Sequence, residues 1–143
     1  MFDLTGKHII ITGASSGFGH HFAGVLARQG AAVTLGARRT DKIDARAAEL
    51  VAEGLKASGA ALDVRDKDSI VAFLDAAEAA HGPVDILINN AGVEAGPKTY
   101  LMIDEEDWDY VIDINLKGAW LCSKLYTERV LAGGQKGGNI INI

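Results

Sequence analysis

Three glycines near the N-terminus have a spacing that can bring backbone N–H groups to a bound diphosphate. An apolar run at residues 8–11 leads to Gly13, and Gly17 and Gly19 complete the pattern G-x-x-x-G-x-G. Glycines alone can form a purely structural turn, but here a helical repeat of apolar residues follows at once. The order strand, glycine turn, helix directs free N–H groups and the positive end of a helix towards an anion. We expect Gly13 to form the tight turn, Gly17 to admit the ligand, and Gly19 to let helix and strand pack closely.

Two adjacent arginines follow the second predicted strand, at residues 31–35. The chain leaves that strand through Gly36-Ala37-Arg38-Arg39, and the first carboxylate after it is Asp41. In a dinucleotide fold an acidic residue at this place binds the ribose hydroxyls, whereas arginine accommodates a 2′-phosphate. The pair therefore favours NADP(H) over NAD(H), with NAD(H) as the alternative cofactor. Arg38 and Arg39 could instead be solvated surface charges.

Polar and small residues also end the third and fourth predicted strands, at residues 57–62 and 84–88. Asp63 could accept a hydrogen bond from an adenine amino group, or could simply belong to a turn. The tetrapeptide Asn89-Asn90-Ala91-Gly92 closes the fourth strand. Its small residues would let a flat ring lie against the backbone, and an asparagine there can tie neighbouring strands by side-chain hydrogen bonds.

Asn115 lies within a long helical pattern that begins after Asp104 and runs through Tyr126. Its spacing places it on the predicted interior stripe, which comprises Trp108, Val111, Ile112, Ala119 and Cys122. A buried amide must find hydrogen-bond partners or cost about 1–3 kcal/mol. Asn115 is therefore either a structural hydrogen-bonding residue or part of a site. Cys122, which has no base near it in sequence, is predicted to be a small core residue.

Strands and helices alternate along the whole chain, which predicts an α/β fold. The strand runs are apolar without strict alternation, as in a parallel sheet covered on both faces. Right-handed crossovers then give a Rossmann-like, doubly wound parallel sheet with its ligand crevice at the carboxyl ends of the strands. Thr40, Asp66 and Asp104 are the predicted helix N-caps. The predicted apolar helix faces are Phe18, Phe22, Val25 and Leu26 on the first helix, and Ile43, Ala47, Leu50 and Val51 on the second.

Composition and charge exclude several classes of function. Of the 143 residues 48% are apolar, which indicates a globular domain. A net charge of −5 offers no basic footprint for nucleic acid, and a single cysteine suits a reducing cytoplasm. We expect no metal site, because no Cys/His cluster has ligand spacing, and no membrane span. The expected localisation is cytoplasmic.

At these motifs the chain closely resembles the short-chain dehydrogenase/reductase family. Thr12 to Gly19 matches the family's T-G-x-x-x-G-x-G cofactor turn, and Asp113 to Gly118 matches the segment around its helix asparagine. The resemblance implies hydride transfer between a nicotinamide and a small-molecule alcohol or carbonyl, with Asn115 as a catalytic residue that holds a water in a proton relay. It also implies that the cofactor is bound by Gly13, Ser15, Ser16, Gly17, Phe18, Gly19, Arg38, Arg39, Asp63, Val64, Asn90, Ala91 and Gly92.

The sequence departs from the family pattern in its catalytic residues. None of Tyr100, Tyr110 and Tyr126 is followed four residues later by lysine, and the expected serine after the fifth strand is absent. We therefore expect residues 1–143 to be an incomplete NAD(P)-binding domain, cut short after the fifth strand and inactive alone. The alternative is a non-catalytic NADP(H)-binding module or sensor. The resemblance further implies a homo-oligomer, a dimer or tetramer, and we expect the exposed fifth strand to promote association.

Overall fold

A five-stranded parallel sheet forms the centre of this computed structural model, which describes residues 3–143. The strands are β1 (His8–Thr12), β2 (Ala32–Ala37), β3 (Ala57–Ala61), β4 (Ile86–Asn89) and β5 (Asn139–Asn142). Their order across the sheet is β3-β2-β1-β4-β5, so the chain winds first to one side of β1 and then to the other. The predicted Rossmann-like, doubly wound α/β fold is therefore confirmed. Its topological switch point lies between β1 and β4, where ligands bind in sheets of this kind.

Helices cover both faces of the sheet. They are α1 (Gly17–Arg28), α2 (Thr40–Ala52), α3 (Lys67–His81), α4 (Glu105–Ile112) and α5 (Ala119–Ala132), with a short 3-10 turn at Tyr100–Met102 and a π-helical segment at Asp113–Gly118. Alternate residues of β1 enter different layers of the core. Ile9 and Ile11 pack on the side of α1 and α2, whereas Ile10 packs on the side of α3 and α5. Every residue of β1 is buried, and its three central residues are isoleucines, as expected of a strand covered on both faces.

Helix α1 buries small residues, and the predicted apolar face is only partly right. Its buried residues are Gly19, Ala23, Gly24 and Ala27. Phe18 is 69% exposed and Val25 is also exposed, while Phe22 and Leu26 are only partly buried. The helix leaves the glycine turn directly beside β1, so little room remains between helix and sheet. Size rather than hydrophobicity decides which residues face inward here.

Several boundaries and one helix face in the first half also differ from the prediction. Strand β2 continues through Gly36 and Ala37, which were expected to lie in a turn. Helix α2 begins at Thr40 itself, after Arg39 in the N-cap position, and the predicted capping bond from Thr40 is wrong. Val51 is 54% exposed, so the buried face of α2 consists of Ile43, Ala47 and Leu50. By contrast, Asp66 caps α3 as predicted, through a bond accepted from the backbone N–H of Asp68.

The long helix after Asp104 forms, but a π-helical segment interrupts it. Asp104 accepts a bond from the N–H of Asp107 in a capping box, as expected of an N-cap. Between α4 and α5, the π-helical segment adds a residue per turn, which rotates the following side chains relative to an uninterrupted α-helix. Ile114 and Gly118 consequently face the interior, whereas Asn115 is exposed. The predicted interior position of Asn115 is therefore wrong.

The rest of the predicted stripe on this helix is partly right. Trp108 is 62% exposed, which contradicts its predicted interior position, whereas Cys122 is buried as predicted. Strand β5 forms the edge of the sheet, and all four of its residues are exposed. Between Asp3 and Ile143, no helix is long and apolar enough to cross a membrane, and no cluster of three metal-ligating side chains occurs.

Candidate functional site

A cleft with a volume of about 610 Å³ opens at the carboxyl ends of β1 to β4. All of the predicted cofactor-binding residues except Gly19 line it. Four further lining residues, Ala37, Leu62, Val93 and Ile114, were not predicted. Three of them adjoin a strand end or a predicted motif in sequence, which is the signal that could have identified them. Ile114 belongs to the π-helical segment, which the sequence analysis did not predict.

The three glycines of the glycine turn differ in backbone conformation and in the space around them. Gly13 has φ +67°, and a Cβ built on it would lie 2.6 Å from the Cα of Ala91. Gly17 has φ +57°, but a Cβ there would meet nothing within 4 Å. A Cβ on Gly19 would lie 2.5 Å from Nδ2 of Asn90 and 2.8 Å from the oxygen of Gly13. Gly13 and Gly19 thus allow close packing behind the cleft, whereas Gly17 leaves open space within it.

Thr12 joins the glycine turn to the turn that follows β4. Its hydroxyl oxygen accepts bonds from the backbone N–H groups of Asn90, at 3.0 Å, and Ala91, at 2.9 Å. In return, Nδ2 of Asn90 donates to the carbonyl oxygens of Thr12, at 2.9 Å, and Gly13, at 3.1 Å. These four bonds hold both turns on one wall of the cleft. The sequence had indicated Thr12 only as part of a motif, not as a residue that assembles the site.

Asn89 ties β4 to its neighbours, as predicted for an asparagine of this tetrapeptide. It is buried, with 5% of its surface exposed. Nδ2 of Asn89 donates to Oγ of Ser123 and to Oδ1 of Asn142, both at 2.9 Å. Strand β4 is thereby joined to α5 and to β5 at the carboxyl end of the sheet, directly behind the Asn90 turn.

The mouth of the cleft beside β2 carries positive charge. Arg38 and Arg39 are exposed and line the cleft, and Nη2 of Arg39 donates to the hydroxyls of Ser15, at 2.9 Å, and Ser16, at 3.1 Å. Ser16 is the N-cap of α1, but its side chain makes no capping bond to the described residues, and the first turn has no acidic residue. The first N–H groups of α1 are therefore available to an anion.

Asp63 lines the cleft at the end of β3, but its carboxylate is already paired with Arg65. Nε of Arg65 donates to Oδ1 at 3.0 Å, and Nη2 donates to Oδ2 at 2.6 Å. This hydrogen-bonded guanidinium holds the pKa of the Asp63 carboxyl below its usual range, and Arg38 adds a smaller electrostatic contribution. Asp63 is therefore ionised at neutral pH. Val64 beside it is buried and packs against Gly118 of the π-helical segment.

Asn115 does not line the cleft, but it holds a segment that does. Its Oδ1 accepts from the N–H of Val93 at 2.8 Å, and its Nδ2 donates to the oxygen of Val93 at 2.9 Å. Oδ1 would also lie 3.6 Å from a Cβ built on Gly92. The exposed amide thus makes one accepted and one donated bond to a single backbone residue, which it fixes after the Asn90 turn. The side-chain amide of Asn115 therefore has hydrogen-bond partners, although the residue is not buried.

Comparison with known proteins relates this geometry to a family. The short chain dehydrogenase family matches residues 7–143. Gluconate 5-dehydrogenase of Gluconobacter oxydans (strain 621H) is 36% identical over 143 residues, which are 100% of this chain and 55% of that protein. A metagenomic short-chain oxidoreductase crystallised in complex with NADP superposes with a TM-score of 0.85 and 37% identity, over 97% of this chain and 62% of the other.

A second crystal structure agrees. Gluconate 5-dehydrogenase from Burkholderia cenocepacia J2315, in complex with NADP and tartrate, has a TM-score of 0.86 and 32% identity, over 98% of this chain and 54% of the other. The chain spans between 54% and 62% of the length of these relatives. Since the family match extends over nearly the whole chain and the fold agrees with solved members, this protein belongs to the short-chain dehydrogenase family.

Proposed function

We propose that the cleft binds NADP(H) and that this chain is the cofactor-binding part of an oxidoreductase that acts on an alcohol or carbonyl. The observation that carries this proposal is the pair Arg38 and Arg39 at the end of β2, where none of the described lining residues is acidic; the lining carboxylate, Asp63, follows β3. Arg39 also contacts both serines of the glycine turn, so positive charge reaches from the end of β2 to the start of α1. Two relatives of similar fold were crystallised with NADP, which supports the same cofactor here.

The cleft residues fit such a cofactor. The free N–H groups at the start of α1 and the open space at Gly17 suit a diphosphate. Arg38 and Arg39 suit a 2′-phosphate, since guanidinium groups bind phosphate through paired hydrogen bonds. Asp63 and Val64 would then bind the adenine end, and the small residues Ala91 and Gly92 would lie against the nicotinamide. We assign the remaining predicted cofactor contacts to Gly13, Ser15, Ser16, Phe18 and Asn90, whereas Gly19 is proposed to act by close packing behind the cleft.

When bound, the nicotinamide supplies or accepts the hydride that interconverts an alcohol and a carbonyl. The contribution of this chain is to bind and orient that ring. Asn115 fixes Val93, and with it the wall of the cleft that follows the Asn90 turn. We propose that Asn115 also has the catalytic role implied by its family, in which it holds a water that relays protons.

A second candidate function is a non-catalytic NADP(H)-binding module. It is favoured by one feature of the 143 residues, in which no tyrosine is followed four positions later by lysine. For both candidate functions, we propose that residues 1–143 bind the cofactor but do not catalyse the reaction on their own.

We also propose that the protein forms a homo-oligomer. The exposed aromatic residues Tyr100, Trp108 and Trp120 support this, because they are far more exposed than residues of a closed core.

The test is a comparison of NADPH and NADH binding to the unmodified chain and to a Arg38→Ala/Arg39→Ala variant, by fluorescence titration. Charge-assisted bonds to a phosphate contribute about 1.5–3 kcal/mol each, so we expect NADPH affinity to fall about tenfold or more. NADH affinity should change little. Arg28→Ala is the matched control, because Arg28 is an exposed arginine paired with Glu53 outside the cleft.

Two outcomes would contradict the proposal. One is an equal loss of affinity for both cofactors in the double variant. The other is tighter binding of NADH than of NADPH by the unmodified chain.

A further inference from the structure

Arg65 does not line the cleft, but its side chain binds a carboxylate that does. It follows β3 and Val64, and its side chain grips the Asp63 carboxylate with two parallel N–H donors. Its own backbone N–H donates to Oδ1 of Asp63 as well, at 3.0 Å. Oδ1 thus accepts two bonds and Oδ2 accepts one, so the free acceptor capacity of the carboxylate is greater at Oδ2.

The guanidinium of Arg65 also lies near an aromatic ring of α4. Its Cζ lies 6.0 Å from the centre of the Tyr110 ring on α4. The negative face of an aromatic ring attracts a guanidinium at this distance. The carboxylate of Asp113, one turn further along the helix, adds an electrostatic attraction. Arg65 therefore connects the end of β3 to the helix that carries Asn115.

We propose that Arg65 is a positioning residue for base recognition: it fixes the Asp63 carboxylate as an acceptor for the exocyclic amino group of adenine. This inference rests on the proposed binding of NADP(H). A carboxylate is an acceptor only, and favours a base that presents an amino group over one that presents a carbonyl in its place. A free aspartate could rotate away from a mismatched base. An aspartate that accepts two hydrogen bonds from a bidentate guanidinium keeps its orientation. A base that places a carbonyl against this carboxylate then binds with a less favourable free energy.

The pair of probes for this test is NADPH and its deaminated analogue, nicotinamide hypoxanthine dinucleotide phosphate in the reduced form. They differ at the base, where the amino group of adenine becomes a carbonyl. The measured quantity is the ratio of their dissociation constants. A lost bond to a charged group changes affinity about tenfold or more, so we expect the unmodified chain to prefer NADPH by about tenfold.

In Arg65→Ala this ratio should fall several-fold towards one, mainly because NADPH binds more weakly. Arg65→Lys keeps the charge but not the two-pronged grip, and should restore only part of the preference. Arg28→Ala is the control and should leave the ratio unchanged. Thermal unfolding of each variant, measured alongside, shows whether Arg65→Ala folds, and Arg65→Lys carries the test if it does not.

The possible outcomes separate the proposed role of Arg65 from the proposed NADP(H) site. A purely structural role of Arg65 would weaken both cofactors equally and leave the ratio unchanged, which would overturn the inference. A ratio that rises in Arg65→Ala would also overturn it, because Arg65 would then compete with adenine for Asp63. Failure of the unmodified chain to bind either probe would instead refute the proposed NADP(H) site itself.

Discussion

Replacement of Gly13 by alanine should separate the two demands that the structure makes of this residue. Gly13 has φ +67°, in the left-handed region that residues with a Cβ rarely adopt. A Cβ there would also lie 2.6 Å from the Cα and 2.9 Å from the nitrogen of Ala91. Both neighbouring atoms belong to the backbone, so no side-chain rotation can relieve the overlap. The Asn90 turn would have to move away from the glycine turn.

The expected loss of stability is the sum of two contributions. The left-handed conformation costs an alanine about 1–2 kcal/mol. Carbon atoms in ordinary contact are about 3.5–4.0 Å apart, and forced overpacking typically costs a further ~1–3 kcal/mol. The free energy of unfolding should therefore fall by about 2–5 kcal/mol. For a domain of this size each kcal/mol corresponds to about 4 °C in Tm, so the midpoint should fall by about 8 °C or more.

Gly54 provides the matched control. It follows the end of α2 with φ +82°, and a Cβ on it would meet nothing within 4 Å. Gly54→Ala thus introduces the backbone strain without the overlap, and should cost only about 1–2 kcal/mol. Urea unfolding measures both variants, and an NADPH titration at a temperature where both are folded measures the cleft. Only Gly13→Ala should weaken NADPH.

The reasoning would be refuted by equal unfolding free energies for Gly13→Ala and Gly54→Ala. That result would mean that the Asn90 turn yields without cost, and that contact between the two turns does not define the cleft. Unchanged NADPH affinity in a folded Gly13→Ala protein would show that the contact between the two turns does not shape the cofactor cleft.

Two further predictions concern single buried groups. Burial lowers the pKa of His8, whose Nδ1 must donate to the oxygen of Gly82 at 2.8 Å. The imidazole is therefore harder to protonate in the native state than in the unfolded chain. Stability should decrease as the pH falls below the ordinary histidine value of about 6.5, by up to about 1.4 kcal/mol per pH unit. Urea unfolding between pH 7 and pH 5 should show a shallower dependence in His8→Gln, and an unchanged slope would contradict this assignment. Burial likewise raises the pKa of the Cys122 thiol to about 12, so iodoacetamide at pH 8 should label it slowly in the folded protein and rapidly in urea. Rapid labelling of the folded protein would show that α5 opens readily.

Local patterns were enough to predict the elements that build this fold. The three consecutive isoleucines of β1 predict a buried central strand, because a strand covered on both faces has no polar side to alternate with. The acidic caps Asp66 and Asp104 were likewise predictable, since each bonds a backbone N–H two or three residues away. The grouping of Gly13, Arg38, Asp63 and Asn90 around one cleft followed from chain order alone, because parallel strands place their carboxyl ends on the same edge.

The predictions failed where the packing between elements, or the local winding of a helix, decides which residues face inward. The exposed position of Phe18 results from the closeness of α1 to the sheet, which no helical repeat records. Asn115 is exposed because a π-helical segment shifts the register of its helix, and its partner Val93 lies 22 residues earlier.

The sequence by itself determined the α/β fold, the strand ends that form the cleft and the residue types that meet there, because these depend on neighbours within a turn or a strand. Only the tertiary structure decided which atoms those residues bind. The bonded partners are tens of residues apart in sequence and meet only when the sheet assembles. Thr12 bonds Asn90 in this way, and Asn89 bonds Ser123 and Asn142. Hydrogen bonds of this range depend on distances of a few ångströms between separate elements, and a one-dimensional pattern contains no such distances.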